Sequence, residues 1–266
     1  MSESIASLSD AGEGGPWLLV TDVDDTLTGD DEALGRFIAL IHECRSIRVA
    51  LNSSRPTASV LASMRRWPAP FEPDAIIGAM GTQVLWGREP DSAWAGRFTG
   101  WDRAVVDRIM AGLGFQPHDE EFQTPLKASY AVPAHRQDEA VAAIEVSGQP
   151  ARIVRSGASD FDVLPPGADK AAACLHVARL LAIAPDRLIV AGDSANDLAM
   201  FNAADRGILV ANARRELIDA VDPSRVYRAR GLRADGLIEG LRHYGAIAVE
   251  AGGGRGAGDR RREGAT

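Results

Sequence analysis

Asp22 and Asp24 close the stretch Trp17-Leu18-Leu19-Val20-Thr21-Asp22-Val23-Asp24-Asp25-Thr26. Carboxylates so placed can act as nucleophile, proton shuttle or ligand to a hard cation. Residues two apart share one side of an extended chain, so Asp22 and Asp24 are expected to converge while Asp25 points elsewhere. A second acidic run, Gly192-Asp193-Ser194-Ala195-Asn196-Asp197, follows the apolar Leu188-Ile189-Val190-Ala191. Between them lie the hydroxyls of Asn52-Ser53-Ser54-Arg55 and a lysine, Lys170, shortly after Pro165-Pro166-Gly167. Taken singly, these are a solvated loop acid, a helix-capping serine and a surface lysine. A calcium loop counted from Asp22 would need Gly at its sixth position and Glu at its twelfth, where Leu27 and Ala33 stand.

The elements that must carry these residues alternate. Four apolar residues before the first acids read as a strand buried on both faces, as in a parallel sheet. Leu34, Phe37, Ile38 and Ile41 recur at helical spacing, Ile47-Arg48-Val49-Ala50-Leu51 reads as a strand, and Pro56 suits the first turn of a helix with Val60, Leu61 and Met64. Ser53 therefore sits between a strand end and a helix start, where free N–H groups favour an anion. Residues 74–80 suggest a third strand and Gly81-Thr82 a turn. Residues 83–163 change character, with Trp86, Trp94 and Trp101, a helix around Val105, Ile109 and Leu113, a strand over 127–132, a helix over 140–146, and strands over 151–155 and 160–164. This reads as a smaller α/β unit inserted into a core of residues 16–82 and 164–245. The alternation resumes with a helix bearing Cys174, Val177, Ala178 and Leu181, the strand before Asp193, a helix, and the strand Gly207-Ile208-Leu209-Val210. The fold class is α/β, a doubly wound, Rossmann-like parallel sheet with its ligands at the strand carboxyl ends. Residues 1–15 and the Gly- and Arg-rich residues 246–266 read as disordered.

The 266 residues, 45% apolar and 25% charged, suit a globular protein. A net charge of -8 argues against nucleic-acid or membrane-surface binding. No stretch approaches the roughly 18 apolar residues of a membrane span, and the acidic, Ser- and Gly-rich start is unlike a signal peptide, so the cytoplasm is expected. Cys44 and Cys174 sit in helical apolar patterns and read as buried reduced thiols.

Two strand-end acidic loops in one parallel sheet meet at the same edge, so Asp22, Asp193 and Asp197 can share one divalent cation. Oxygen ligands without clustered His or Cys favour magnesium over zinc. Lys170 adds the positive charge that a phosphate would need. Together the pieces specify phosphoryl transfer through an aspartyl phosphate. Asp22 would attack, Asp24 would protonate the leaving alkoxide and then deprotonate water, Ser53 would hold a phosphoryl oxygen, and the cation and Lys170 would offset the charge.

These motifs, in this order, resemble those of haloacid dehalogenase-like phosphatases. The insertion between Ser53 and Lys170 is similar to the family's type II cap. Gly81-Thr82, Lys127-Ala128-Ser129-Tyr130, Asp162-Val163-Leu164-Pro165 and Gly207-Ile208-Leu209-Val210-Ala211-Asn212-Ala213 resemble segments of sucrose-phosphate phosphatase-like proteins. Where that family's second motif reads Thr-Gly-Arg, this chain has Ser53-Ser54-Arg55, and Asp25 stands where many relatives carry Gly or Asn.

The resemblance implies a magnesium-dependent (Mg2+) phosphatase acting on a small-molecule sugar phosphate. Sucrose 6-phosphate and mannosylfructose phosphate lead, ahead of mannosylglycerate or glucosylglycerol phosphate and of a catalytically silent sugar-phosphate-binding module. It further implies that Ser54, Arg55 and Asn196 meet the substrate, that Asp24 offers the metal its backbone carbonyl, and that a glycosyltransferase of the same pathway is a partner to consider. On the strand over 127–132, alternation puts Lys127 and Ser129 on one face and Tyr130 on the other. Lys127 is then either a solvated edge-strand charge or, with Ser129, a ligand for sugar hydroxyls.

Overall fold

The run that ends in Asp22 forms β1 (Trp17–Thr21) in a computed structural model that describes residues 15–156 and 158–247. Expectations for residues 1–14 and 248–266 lie outside the described residues. Every residue of β1 is buried, and alternation divides them: Trp17 and Leu19 enter one apolar cluster, Leu18 and Val20 the other.

The chain then runs through α1 (Asp31–Glu43), β2 (Ile47–Asn52), α2 (Thr57–Met64) and β3 (Ala75–Gly78). Asp30 caps α1 by accepting from the Ala33 N–H (3.0 Å), and Asp31 and Glu32 suit its positive end. After β3 the backbone turns through Ala79, Met80 and Gly81 at φ of 49°, 58° and 88°. Only glycine fits at 81, where a Cβ would collide with the Asp169 carbonyl. There follow β4 (Gln83–Trp86), β5 (Glu89–Pro90) and α3 (Ser92–Ala95).

A smaller unit comes next, with α4 (Arg103–Gly112), β6 (Gln116–Pro117), β7 (Ala128–Ala131), α5 (Gln137–Val146), β8 (Arg152–Ser156) and β9 (Asp160–Leu164). The chain then forms α6 (Lys170–Leu180), β10 (Leu188–Gly192), α7 (Leu198–Ala203), β11 (Arg206–Leu209), α8 (Arg215–Ala220), β12 (Val226–Arg228) and α9 (Arg233–His243). The large sheet has the order β12-β11-β10-β1-β2-β3-β4-β5, parallel except where β4 pairs with β3 and β5. Phe37 and Ile38 of α1 with Leu237 and Leu241 of α9 cover one face. Cys174 and Val177 of α6 with Met200 and Phe201 of α7 cover the other. The chain leaves β1 toward β2 and later returns to its other side as β10. That switch of direction opens a crevice at the strand carboxyl ends, where ligands of such sheets bind.

The antiparallel small sheet, β6-β7-β9-β8, packs one face against α4 and α5 through Val106, Met110, Ala140, Ile144 and Phe161. Two boundaries and the buried centre of one helix face differ from the sequence reading. Residues 83–90 extend the large sheet as an antiparallel edge, and Trp94 and Phe98 join its core, so the smaller unit starts beyond them. On α4 the sheet takes the centre of a wide apolar face, fully burying Val106 and Met110 and only partly burying Val105, Ile109 and Leu113. Ala246 and Ile247, expected in the disordered tail, are buried beside α1 and α9 in the core cluster. Both cysteines are free, Cys174 buried and Cys44 partly so. Among the described residues no helix is long and apolar enough to cross a membrane.

At the junction of α3 with α6, Asp91 accepts from His176 Nε2 (2.7 Å), the Trp94 N–H (2.8 Å) and Trp86 Nε1 (3.1 Å). Burial opposes its ionisation, but hydrogen bonds from His176, Trp94 and Trp86 outweigh it and hold the carboxyl down at about 2. A depressed carboxyl contributes its stability in full above its ordinary value of 3.8 and loses it as pH falls toward the folded value. Asp91→Asn is therefore expected to lower stability by about 1–2 kcal/mol at neutral pH, with the gap to the parent closing between about pH 4 and pH 2. Urea unfolding of both proteins across that range measures it; a gap that widens on acidification would refute this account.

Candidate active site

β1 and β10 are neighbours in register, Thr21 opposite Ala191, and the Asp22 N–H donates to the Ala191 carbonyl (2.9 Å). Asp22 and Asp193 thus leave adjacent strands side by side, and the turn after β10 folds Asp197 back toward them. One carboxylate oxygen from each of Asp22, Asp193 and Asp197 lies within 4.8 Å of the other two. All three residues are buried. Asp197 is fixed from below, since its Oδ2 accepts from the N–H groups of Asp193 (3.1 Å) and Ser194 (3.2 Å). Gly192 permits this fold, because a Cβ there would stand 2.6 Å from the Asp197 carboxylate.

Lys170, capped in place by the Asp169 side chain, sends its fully buried ammonium into the cluster. It donates to Asp22 Oδ1 (2.6 Å), Asp197 Oδ1 (2.7 Å) and Asn196 Oδ1 (3.1 Å). Burial alone would lower its proton affinity, and Asp197 and Asp22 more than reverse that, so the lysine stays charged. Three carboxylates nevertheless outnumber one ammonium. Burial first, then repulsion from Asp197, pushes Asp193 up to about 6. Burial also pushes Asp22 up, to about 8, against the pull of Lys170 and with the repulsion of Asp197 and Asp193. This deficit of positive charge, among oxygen donors only, fits a hard divalent cation.

Not every expected residue joins the acids. Asp24 lies outside the cluster, its carboxylate exposed and accepting from Arg55 Nε (2.8 Å). The two-residue alternation that was to bring it beside Asp22 ends with β1 at Thr21. Beyond it the Leu27 and Thr28 N–H groups both return to the Val23 carbonyl, and Asp25 adopts φ 61°, a conformation that favours Gly or Asn. Arg55, expected at the substrate, has its guanidinium engaged by Asp24 and the α2 hydroxyls of Ser59 and Ser63. Ser53 is buried at the end of β2, with its Oγ accepting from the Arg55 N–H (3.1 Å).

Beside the acids lies a cleft of about 530 Å³, walled by Ser54 and Asn196 on the large sheet's side and by Lys127, Ser129, Arg155 and Asp162 on the other. Lys127 and Ser129 face this cleft, while the Tyr130 hydroxyl donates to Asp107 of α4 on the opposite side. Lys127 is 3% exposed, so it is no solvated edge charge. Its ammonium lies 3.2 Å from Asp162 Oδ1 and donates to the Ser54 carbonyl (3.2 Å). Ser129 Oγ donates to the same Asp162 oxygen (2.5 Å).

The family model for sucrose-6F-phosphate phosphohydrolase matches residues 16–245. The chain belongs to that family. It is a phosphoric monoester hydrolase with the haloacid dehalogenase-like fold. Within this phosphohydrolase family it is 37% identical to mannosylfructose-phosphate phosphatase of Agrobacterium fabrum over 86% of this chain and 96% of that one. It is 29% identical to sucrose-phosphatase 1 of Nicotiana tabacum over 85% of this chain, and the match spans 59% of the tobacco protein. The structure of the sucrose-phosphatase from Synechocystis sp. PCC6803, in complex with sucrose and phosphate, is similar with a TM-score of 0.80 at 28% identity, over 87% of this chain and 98% of that one.

Sequence reasoning missed several groups at the candidate site. Thr26 Oγ1 donates to Asp193 Oδ1 (3.2 Å) across 167 residues. The Arg214 N–H donates to the Asp193 carbonyl (2.6 Å), and its guanidinium stands 3.9 Å from the carboxylate. Asp162 had a usable signal, being at alternate spacing to Asp160 on one strand with a lysine and serine at alternate positions on another; register sets it directly opposite Ser129.

Gly192→Ala is expected to cost about 1–3 kcal/mol, because the added methyl must displace Asp197 or the strand end. Urea unfolding checks this, and an unchanged midpoint would show that the close approach at Gly192 is not required.

Proposed function

We propose that this enzyme hydrolyses a disaccharide phosphate, sucrose 6-phosphate or mannosylfructose phosphate, through an aspartyl phosphate formed on Asp22. The observation that carries the reading is the buried Asp22-Lys170-Asp197 arrangement beside a cleft walled by Lys127, Ser129, Asp162 and Asn196. Such a wall of charged and hydroxyl groups suits a polyhydroxylated ligand rather than an apolar one. The 37% identity to a mannosylfructose-phosphate phosphatase and the likeness to a sucrose-phosphatase support the same substrate class.

In this mechanism an Asp22 carboxylate oxygen bonds to phosphorus as the ester P–O bond breaks. Asp24 gives a proton to the leaving sugar oxygen, then takes one from the water that opens the acyl phosphate, releasing phosphate and restoring Asp22. Lys170 neutralises charge beside the nucleophile, and the Ser53 hydroxyl donates to a phosphoryl oxygen. Asp22, Asp193 and Asp197, with the Asp24 carbonyl, would hold magnesium, which supplies further charge neutralisation at the transferring phosphoryl group. Arg55, tied to two serines of α2, sets where the Asp24 carboxylate stands. The smaller α/β unit chooses the sugar.

Phosphate release across a panel of sugar phosphates tests the reading. Turnover should be fastest on a disaccharide phosphate, require magnesium and vanish after chelation with metal content verified. Asp22→Asn should retain no more than about a thousandth of it, a loss of ~4 kcal/mol. Full activity after chelation, or near-normal turnover in Asp22→Asn, would overturn the mechanism, and preference for a monosaccharide phosphate would overturn the substrate.

Lys127→Ala should cost about 1–3 kcal/mol in kcat/KM for the disaccharide phosphate, since Asp162 and any sugar hydroxyl at Lys127 lose their partner. Hydrolysis of p-nitrophenyl phosphate, which has no sugar to hold, should hardly change. Equal losses on both substrates would instead assign Lys127 to the phosphate site.

A further inference from the structure

Asn52 is the last residue of β2 and is entirely buried. Its side-chain Nδ2 donates to the Lys170 carbonyl (2.9 Å) and also lies 3.1 Å from the Met200 sulfur. Both neighbours are acceptors, so the amide must present its N–H groups to them. Its Oδ1 is consequently left without a hydrogen-bond partner, although buried. An apolar side chain, like those of Val49, Ala50 and Leu51 before it on β2, would leave no such acceptor unmet. Stability alone therefore gives no reason for an amide here.

The contacts supply another reason. Lys170 opens the helix whose side chain neutralises Asp22 and Asp197, and Met200 lies on the helix that directly follows Asp197. Asn52 immediately precedes Ser53, whose N–H and carbonyl are held by the Ile77 carbonyl (2.9 Å) and the Met80 N–H (3.3 Å). One buried amide thus joins the serine loop, the lysine helix and the second acidic loop's helix. We infer that Asn52 is a positioning residue that fixes Lys170 relative to Ser53, so that ammonium and hydroxyl meet the same phosphoryl group. The inference rests on the phosphatase reading above. Misplacing one of two groups that act together is felt most in the transition state, where charge must be met without rearrangement.

The test compares the parent with Asn52→Val and Asn52→Ala, measuring thermal stability, kcat and KM on sucrose 6-phosphate and p-nitrophenyl phosphate, and inhibition by orthovanadate, which mimics the five-coordinate phosphorus. Expected is a kcat at least about tenfold lower on both esters, equivalent to about 1.4 kcal/mol, with KM within about threefold. The vanadate inhibition constant should rise by about the factor lost in kcat, and the melting temperature of at least one variant should stay within a few degrees of the parent. Unchanged kcat and vanadate inhibition in a folded variant would overturn the assignment. So would a kcat loss that follows melting temperature without any change in vanadate inhibition, and so would failure of both variants to fold, which would make Asn52 structural. A parent that hydrolyses neither of these esters nor mannosylfructose phosphate would instead refute the functional reading itself.

Discussion

A single buried ammonium sets the terms for the rest of the molecule. Lys170 lies in the interior with no exposed side-chain surface, where an unpaired charge would cost several kcal/mol, on the order of 3–5 when one partner of a buried pair is removed. It is tolerable only because Asp22, Asp197 and Asn196 meet its three donors. Those acceptors come from two loops far apart in sequence, so the lysine gathers them. The acids in turn outnumber it, and the burial that pushes Asp22 and Asp193 upward leaves a charge deficit that a divalent cation fits. Polar groups arranged for stability alone would not be left so unbalanced.

The sheet makes this gathering possible through geometry rather than through the acids themselves. Parallel register between β1 and β10 delivers Asp22 and Asp193 to one edge, and the direction of crossing reverses there, so no helix connection covers the crevice. On the other side of β1, β2 ends level with it and brings Ser53 to the same edge. The left-handed turn at residues 79–81 closes the arrangement, its Ala79 and Met80 N–H groups donating to the Arg55 and Ser53 carbonyls on one side and its Gly81 lying against the Asp169 carbonyl at the start of α6 on the other. Backbone strain at Ala79 and Met80 is thus held where the serine loop meets the lysine helix.

Much of this was legible in the chain. Runs such as residues 17–20 and 188–191 have no reading other than buried strands once acids follow both, and the order of acid, hydroxyl, lysine and acid then specifies the edge at which they meet. What remained hidden had physical causes. The position of Asp24 could not follow from alternation because extended geometry stops at Thr21. Arg55 was read with the substrate, yet its partners are Asp24 and two serines of the helix that follows it, a local choice that side-chain type does not announce. The antiparallel strands at residues 83–90 follow the turn at Gly81-Thr82, which in the sequence reads as the end of the core, and their pairing back onto β3 is a tertiary choice that the apolar run Val84-Leu85-Trp86 does not announce. Asn52, Thr26 and Arg214 act through partners 118 or more residues away, or through a backbone carbonyl, and no spacing rule reports such contacts.

The junction between the two sheets follows a different logic from either core. The small sheet has its own apolar cluster around Met110 and Phe161, while Leu126 and Val154 pack against the large sheet's cluster. Between these lies Lys127, as buried as a core residue but held by one acceptor from each side, Asp162 of the small sheet and the Ser54 carbonyl of the loop that carries Ser53. A buried polar group must keep its partners, so this contact specifies how the small unit sits over the acids more narrowly than apolar packing could. Hydrogen bonds of this kind can also be exchanged for bonds to a ligand's hydroxyls at little net change in free energy, which packed methyl groups cannot offer. The same lysine that orders the junction therefore stands where a polyhydroxylated substrate would compete for it, against the loop that carries Ser53.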